Sequence, residues 1–109
     1  MTERGKKYLS DIILAIDLIE SFTKDIDSFD DFTADLKTQS AVERQLSIIG
    51  EAVNKFKQEC PNETFENTQQ IVGFRNRIIY AYDTIDNSIV WVILKKYLYP
   101  LKQEVLKKI

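Results

Sequence analysis

The chain contains no histidine, so no imidazole is available to move protons near neutral pH or to ligate a metal. Its one cysteine, Cys60, allows no internal disulfide and, with no histidine to join it, no conventional zinc site. A reducing cytoplasm is the simplest setting for such a sequence. Three Gly and two Pro in 109 residues leave few places for tight turns, which favours long helices over a sheet. No apolar run approaches the ~18 residues of a membrane span; the longest uninterrupted one is Ile89 to Leu94. Arg4, Lys6 and Lys7 give a basic start, but Asp11 and Asp17 break up the apolar residues after it, unlike a signal peptide. There is no glycine loop to cradle phosphates and no nucleophile beside a base. A net charge of −2 excludes strong overall attraction to nucleic acid, so any such binding must come from a local patch.

With 44% apolar and 29% charged residues, the composition is that of a globular protein, and the length suits a single domain over residues 1–109. Charge is unevenly spread. Residues 17 to 35 hold seven Asp or Glu against Lys24, and residues 91 to 109 hold five Lys against Glu104. Tyr8, Ile12, Ala15, Ile16, Ile19 and Phe22 recur at helical spacing and predict a first helix from about residue 4 to 24. Ser28, with Asp31 three residues on, signals a short second helix near Asp30 to Asp35. Val42, Leu46, Ile49, Val53 and Phe56 form a stripe on a longer helix that Pro61 ends. Gly50, in the middle of that helix, suggests a close helix crossing, and at Gly73, near Tyr80 on the wheel, a neighbour could approach closely.

A fourth helix is expected from about Thr68 to Tyr82, then a turn over Asp83 to Asn87 with Asp86 capping the next helix. Ile89 to Leu94 is read as helix, since no second strand exists for it to pair with. Its apolar residues cover every side, so part of it is expected to bury beyond a simple core face, with a dimer interface as a candidate. Pro100 should restart or kink the terminal segment, whose Leu101, Val105 and Leu106 follow helical spacing. The fold class that results is all-α, an up-and-down bundle of four to five helices.

The segment Arg75-Asn76-Arg77-Ile78-Ile79-Tyr80-Ala81-Tyr82 carries the chemistry. At 100° per residue, Ile71, Val72, Ile78, Ile79 and Tyr82 all fall within about 60° of Arg75, which places a guanidinium on an apolar seam. Such a charge requires either an internal carboxylate partner or an opening that binds an anion. Asn76 and Tyr80 are one i,i+4 pair, and Tyr82 lies two turns from Arg75 on the same line. The acidic group Asp25, Asp27, Asp30 and Asp31 lacks the glycine and the spaced glutamate of a calcium loop, so capping and solvation explain it better. Lys102, Lys107 and Lys108 form either a solvated helix face or a track for RNA backbone.

Arg75-Asn76-x-x-x-Tyr80-x-Tyr82 resembles the Arg-x4-His-x-Tyr motif of HEPN domains, specifically HepT-like toxins paired with minimal nucleotidyltransferases. Tyr8-Leu9-Ser10-Asp11-Ile12 with Ala15-Ile16 and Ile19-Glu20 resembles the family's first helix. Thr38 to Leu46 leading into Ile48-Ile49-Gly50-Glu51-Ala52 resembles its central helix, and Asp86 with Ile89-Val90-Trp91 resembles the segment after the motif. The resemblance covers nearly the whole chain, with one departure: Tyr80 stands where the family has histidine. It implies a HEPN bundle, a homodimer, a nucleotidyltransferase antitoxin as partner, and metal-independent RNA cleavage with no cofactor and no membrane. By the resemblance Arg75 holds the scissile phosphate, Asn76 orients it, Tyr80 occupies the proton-transfer position, and Tyr82 accepts AMP. A phenol, with a pKa of about 10, is a poor base at pH 7, so RNase activity is expected to be weakened. A non-catalytic helical module that binds a nucleotidyltransferase is the alternative.

Overall fold

The computed structural model describes residues 1–81 and 85–109, with backbone alone described at 79–81. Its elements are α1 (Glu3–Thr23), α2 (Phe29–Ala34), α3 (Leu36–Glu59), α4 (Gln69–Ala81), α5 (Asn87–Val92), a π-helical segment (Ile93–Tyr97) and α6 (Leu98–Lys108). Every element among the described residues is helical, which makes the fold an all-α HEPN-type bundle. The extents are 42 × 29 × 19 Å, and the shortest is about two helix diameters, so the helices form two layers.

The helix ends follow local chemistry. Thr2 caps α1 by accepting from the Gly5 N–H at 3.0 Å. Ser28 Oγ accepts from the Asp31 N–H at 3.1 Å, the expected start of α2. Asp35 begins α3, accepting from the Thr38 N–H at 2.9 Å and the Thr38 hydroxyl at 2.7 Å. Those two bonds, the hydroxyl first, hold the Asp35 carboxyl below its ordinary value of 3.8. Asp86 caps α5 through the Ser88 N–H at 2.8 Å.

The long helix α3 is the spine. Val42, Leu46, Ile49, Val53 and Phe56 are all fully buried, as their spacing predicts. Full burial of one such side chain stabilises by about 1.5–3 kcal/mol. On one flank α3 packs against α1, which contributes Leu9, Ile12, Ala15, Ile16 and Ile19. The two run antiparallel, since a Cβ on Gly5 at the start of α1 would lie 2.7 Å from Cys60 Sγ at the end of α3. On the other flank α3 packs against α4, through Ile71 and Phe74. Phe22 and Leu106, read as stripe residues, are instead 39% and 47% exposed. Each lies at the edge of its helix's apolar arc, and the core is closed by Ile19 and Val105 before reaching them.

The Ile89 to Leu94 run is helical, and the chain itself covers most of it. Val90 and Ile93 enter the core, while Trp91 packs on Phe32 and Phe29 of α2 with ring centroids 5.7 and 6.1 Å away. Val92 alone of the six is classed as exposed. Pro100 has the expected effect, and the π segment is its form. Proline offers no N–H to the carbonyl four residues back and crowds it, and the preceding turn widens so that the Leu98 N–H reaches Ile93 O. The room left at Gly73 is not used by any described residue, since among them a Cβ there would meet nothing within 4 Å.

Part of the charge asymmetry is settled inside the molecule. Lys102 pairs with Asp17 at 3.1 Å and Glu20 at 3.3 Å, bridging α6 to α1, and Lys108 pairs with Glu63 at 3.2 Å. Two of the three lysines offered as an RNA track are therefore tied to carboxylates. Among the described residues no group of His, Cys, Asp or Glu side chains could hold a metal ion, the acidic 25–31 stretch included. No helix among them is long and apolar enough to cross a membrane.

Candidate functional site

Because α1 and α4 lie on opposite flanks of α3, one side of the spine stays uncovered and forms the floor of a groove. A cleft with a volume of about 580 Å³ sits there. Its walls are Lys7, Tyr8 and Asp11 from α1 and Arg75 and Ile78 from α4, and α3 supplies the floor with Arg44, Ser47, Ile48, Glu51 and Lys55 among others.

The sequence places Arg75 on the apolar seam of α4; in the structure it lies at the margin of that seam, beside the buried Ile71 and Phe74, with its side chain 22% exposed. The stem lies directly across α3 at Gly50. A Cβ on Gly50 would come within 2.8 Å of Arg75 Cβ and 3.1 Å of Cδ, so only glycine permits this approach without displacement. The close crossing inferred from Gly50 is thus the seat of the arginine. The guanidinium donates from Nη2 to Glu51 Oε2 and from Nη1 to Asn76 Oδ1, the latter at 3.2 Å. Glu51 also accepts an ion pair from Lys55 one turn on, at 3.4 Å.

Both alternatives posed by a guanidinium on an apolar face are therefore present together: a carboxylate partner, and an opening to solvent. Glu51 is 43% exposed, so the pair is not sealed in the core and its net worth is that of a surface pair, of order 0.2–1 kcal/mol. Elsewhere in the cleft Lys7 pairs with Asp11 at 2.9 Å. Partial burial pushes the Glu43 carboxyl above its ordinary value of 4.5. Among the described residues Arg44 makes no ion pair. Four cations, Lys7, Arg44, Lys55 and Arg75, face three carboxylates, Asp11, Glu43 and Glu51, on a surface that also offers the Tyr8 ring. Such a lining suits a phosphodiester with an attached base better than an apolar ligand.

Of the other motif residues, Asn76 is brought onto Arg75 and is exposed. Tyr80 lies on the last turn of α4, and its side chain lies outside the described residues, as does Tyr82 altogether. Glu51, Arg44, Lys55 and Lys7 were not singled out from the sequence. The signal available for Glu51 was its place after a mid-helix glycine, which marks a point where another helix must come close.

Residues 12–108 match the family model described as ribonuclease HepT-like. The chain is 41% identical over 106 residues to a protein of Thermococcus cleftensis named probable ribonuclease HepT, covering 94% of this chain and 93% of that one. It is 36% identical over 104 residues to a candidate RNase of Methanocaldococcus jannaschii, covering 92% of each. A second protein of that organism, named as a gamma-glutamylcyclotransferase and candidate RNase, is 36% identical over 109 residues, where the chain spans 48% of its length. No solved structure gives a significant match.

Proposed function

Since this chain belongs to the HepT-like ribonuclease family of the HEPN superfamily, we propose that it is an RNA-cleaving toxin subunit whose cleft between α1, α3 and α4 takes an RNA phosphate at Arg75. The observation that carries this reading is a guanidinium anchored on Gly50, steadied by Asn76 and opening into a cleft lined by three further cations. A planar fork at that position binds two oxygens of a phosphodiester and stabilises charge that grows on them during cleavage. The reaction also needs a group to take a proton from the attacking hydroxyl. Tyr80 stands in the family's histidine position, and a phenol does this poorly at pH 7, so turnover is slow.

The toxin acts as a homodimer, in which two copies of the motif helix share one cleft, and it pairs with a minimal nucleotidyltransferase antitoxin that places AMP on Tyr82. Adenylylation would add charge and bulk to the motif and so exclude RNA. A cleavage assay on the purified protein tests the catalytic reading: slow cutting of single-stranded RNA that disappears in Arg75→Ala supports it, and no cutting by either protein at any enzyme excess refutes it. The second reading, a module that binds the nucleotidyltransferase without cutting RNA, is favoured by one observation, the neutralisation of Arg75 by Glu51.

A further inference from the structure

We infer that Glu51 is a built-in counter-ion for the anion site, an internal carboxylate that occupies the Arg75 fork until a phosphate displaces it and that thereby sets how tightly RNA is held. This rests on the reading of the cleft as an RNA site. The geometry of the pair shows replaceability. An arginine and a carboxylate locked for stability meet through two parallel bonds, whereas Glu51 gives Oε2 to Arg75 Nη2 and turns Oε1 toward Lys55 Nζ, 3.4 Å away. Nη1 donates instead to the neutral Asn76 amide oxygen at 3.2 Å, and the hydrogen bond to Glu51 comes from Nη2. A phosphate reaching the fork therefore has to remove only one charged bond.

The displaced carboxylate also has a place to go. Lys55 is one helical turn along α3 from Glu51 and already in contact with it, so a side-chain rotation keeps Glu51 paired while it leaves Arg75. Half exposure of both groups keeps the exchange cheap, since water solvates the carboxylate throughout. Gly50 fixes the other half of the device. With the arginine stem held against α3, the guanidinium cannot follow Glu51 outward, and the anion must come to it.

Glu43 lines the same cleft and carries the same charge, but it sits two turns of α3 away from Glu51 and pairs with no cation among the described residues. It serves as the control for charge alone.

The test is equilibrium binding of a fluorescently labelled single-stranded RNA, read by anisotropy on the full chain, for wild type, Glu51→Gln, Glu43→Gln, Arg75→Ala and the double variant Glu51→Gln/Arg75→Ala. Glu51→Gln is expected to bind about 1.5- to 5-fold more tightly than wild type, as removal of one competing surface pair should do. Its affinity should also fall more steeply between about 50 and 200 mM salt, with the log–log slope greater by about 0.7, as one more cation becomes free to replace a counterion on a single strand. Glu43→Gln should gain less, and in the Arg75→Ala background Glu51→Gln should gain nothing, because the two residues act on one site. A purely structural role for Glu51 would weaken binding and leave the salt slope where it was. If Arg75→Ala weakens binding while Glu51→Gln fails to tighten it, or tightens it equally in both backgrounds, the counter-ion role is wrong and the RNA site stands. If Arg75→Ala binds RNA as wild type does, both fall.

Discussion

Gly50→Ala puts the arrangement of the arginine under direct test. Alanine is the better helix former, and in an unobstructed helix the exchange would stabilise by about 0.5–1 kcal/mol. Here the new methyl would sit 2.8 Å from Arg75 Cβ, closer than carbon atoms tolerate, and 3.1 Å from Cδ, a tight contact that a small shift could relieve. The first of these belongs to the stem at the backbone and cannot swing aside, so α4 must move away from α3 or Arg75 must leave its rotamer. Overpacking of this kind costs about 1–3 kcal/mol, which outweighs the propensity gain. A net loss of about 1 kcal/mol corresponds to a fall in Tm of roughly 4–8 °C for a domain of this size. Gly73→Ala is the internal standard, since among the described residues a methyl there meets nothing within 4 Å and the propensity gain should appear undiminished as a higher Tm. Calorimetry on both variants, with RNA binding measured alongside, separates the effects: Gly50→Ala should lower Tm and weaken RNA binding, and Gly73→Ala should raise Tm. If Gly50→Ala is as stabilising as Gly73→Ala and binds RNA normally, then Gly50 does not seat Arg75.

Tyr80→His should raise RNA cleavage by about 10²–10⁴-fold, because it supplies a proton-transfer group that titrates near neutrality while the phosphate-binding Arg75 is already in place; a wild type that cuts efficiently, with no gain in the variant, would remove the defect from this position. Incubation with the partner nucleotidyltransferase and ATP should add AMP to Tyr82 and not to Tyr80, read by intact mass and peptide mapping, and an adduct on Tyr80 would defeat the assignment. Asp35→Ala should lower the Tm near neutral pH. The folded Asp35 carboxyl titrates below 3.8, so its contribution is present above that value and disappears as pH falls through the lowered folded value. The Tm difference between variant and wild type should therefore shrink toward zero on acidification, and a difference that persists in strong acid would show that the cap does not depend on charge.

By itself the sequence determined the helices, because their causes are local. The stripe from Val42 to Phe56 buries as a unit, Ser28 and Asp86 cap where a short oxygen-bearing side chain precedes an apolar period, and Pro100 disturbs the turn before it through its missing N–H. It also marked Arg75 as a charge needing a partner or an opening, since wheel geometry follows from residue spacing alone. Which partner the arginine took was a different kind of question. Glu51 lies 24 positions away, and its meeting with Arg75 depends on how α3 and α4 cross at Gly50. The same holds for Gln39, buried where α2 meets α3, with its amide donating to Phe32 and Thr33 carbonyls at 2.9 Å and accepting from Asn87 at 3.1 Å. Gly50 and Gly73 read alike in sequence as gaps in a helix surface, yet one lies under an arginine and the other meets no described residue. A missing side chain permits a close approach without requiring one, and only the packing of three helices decided where the approach was used and what faced the cleft it left open.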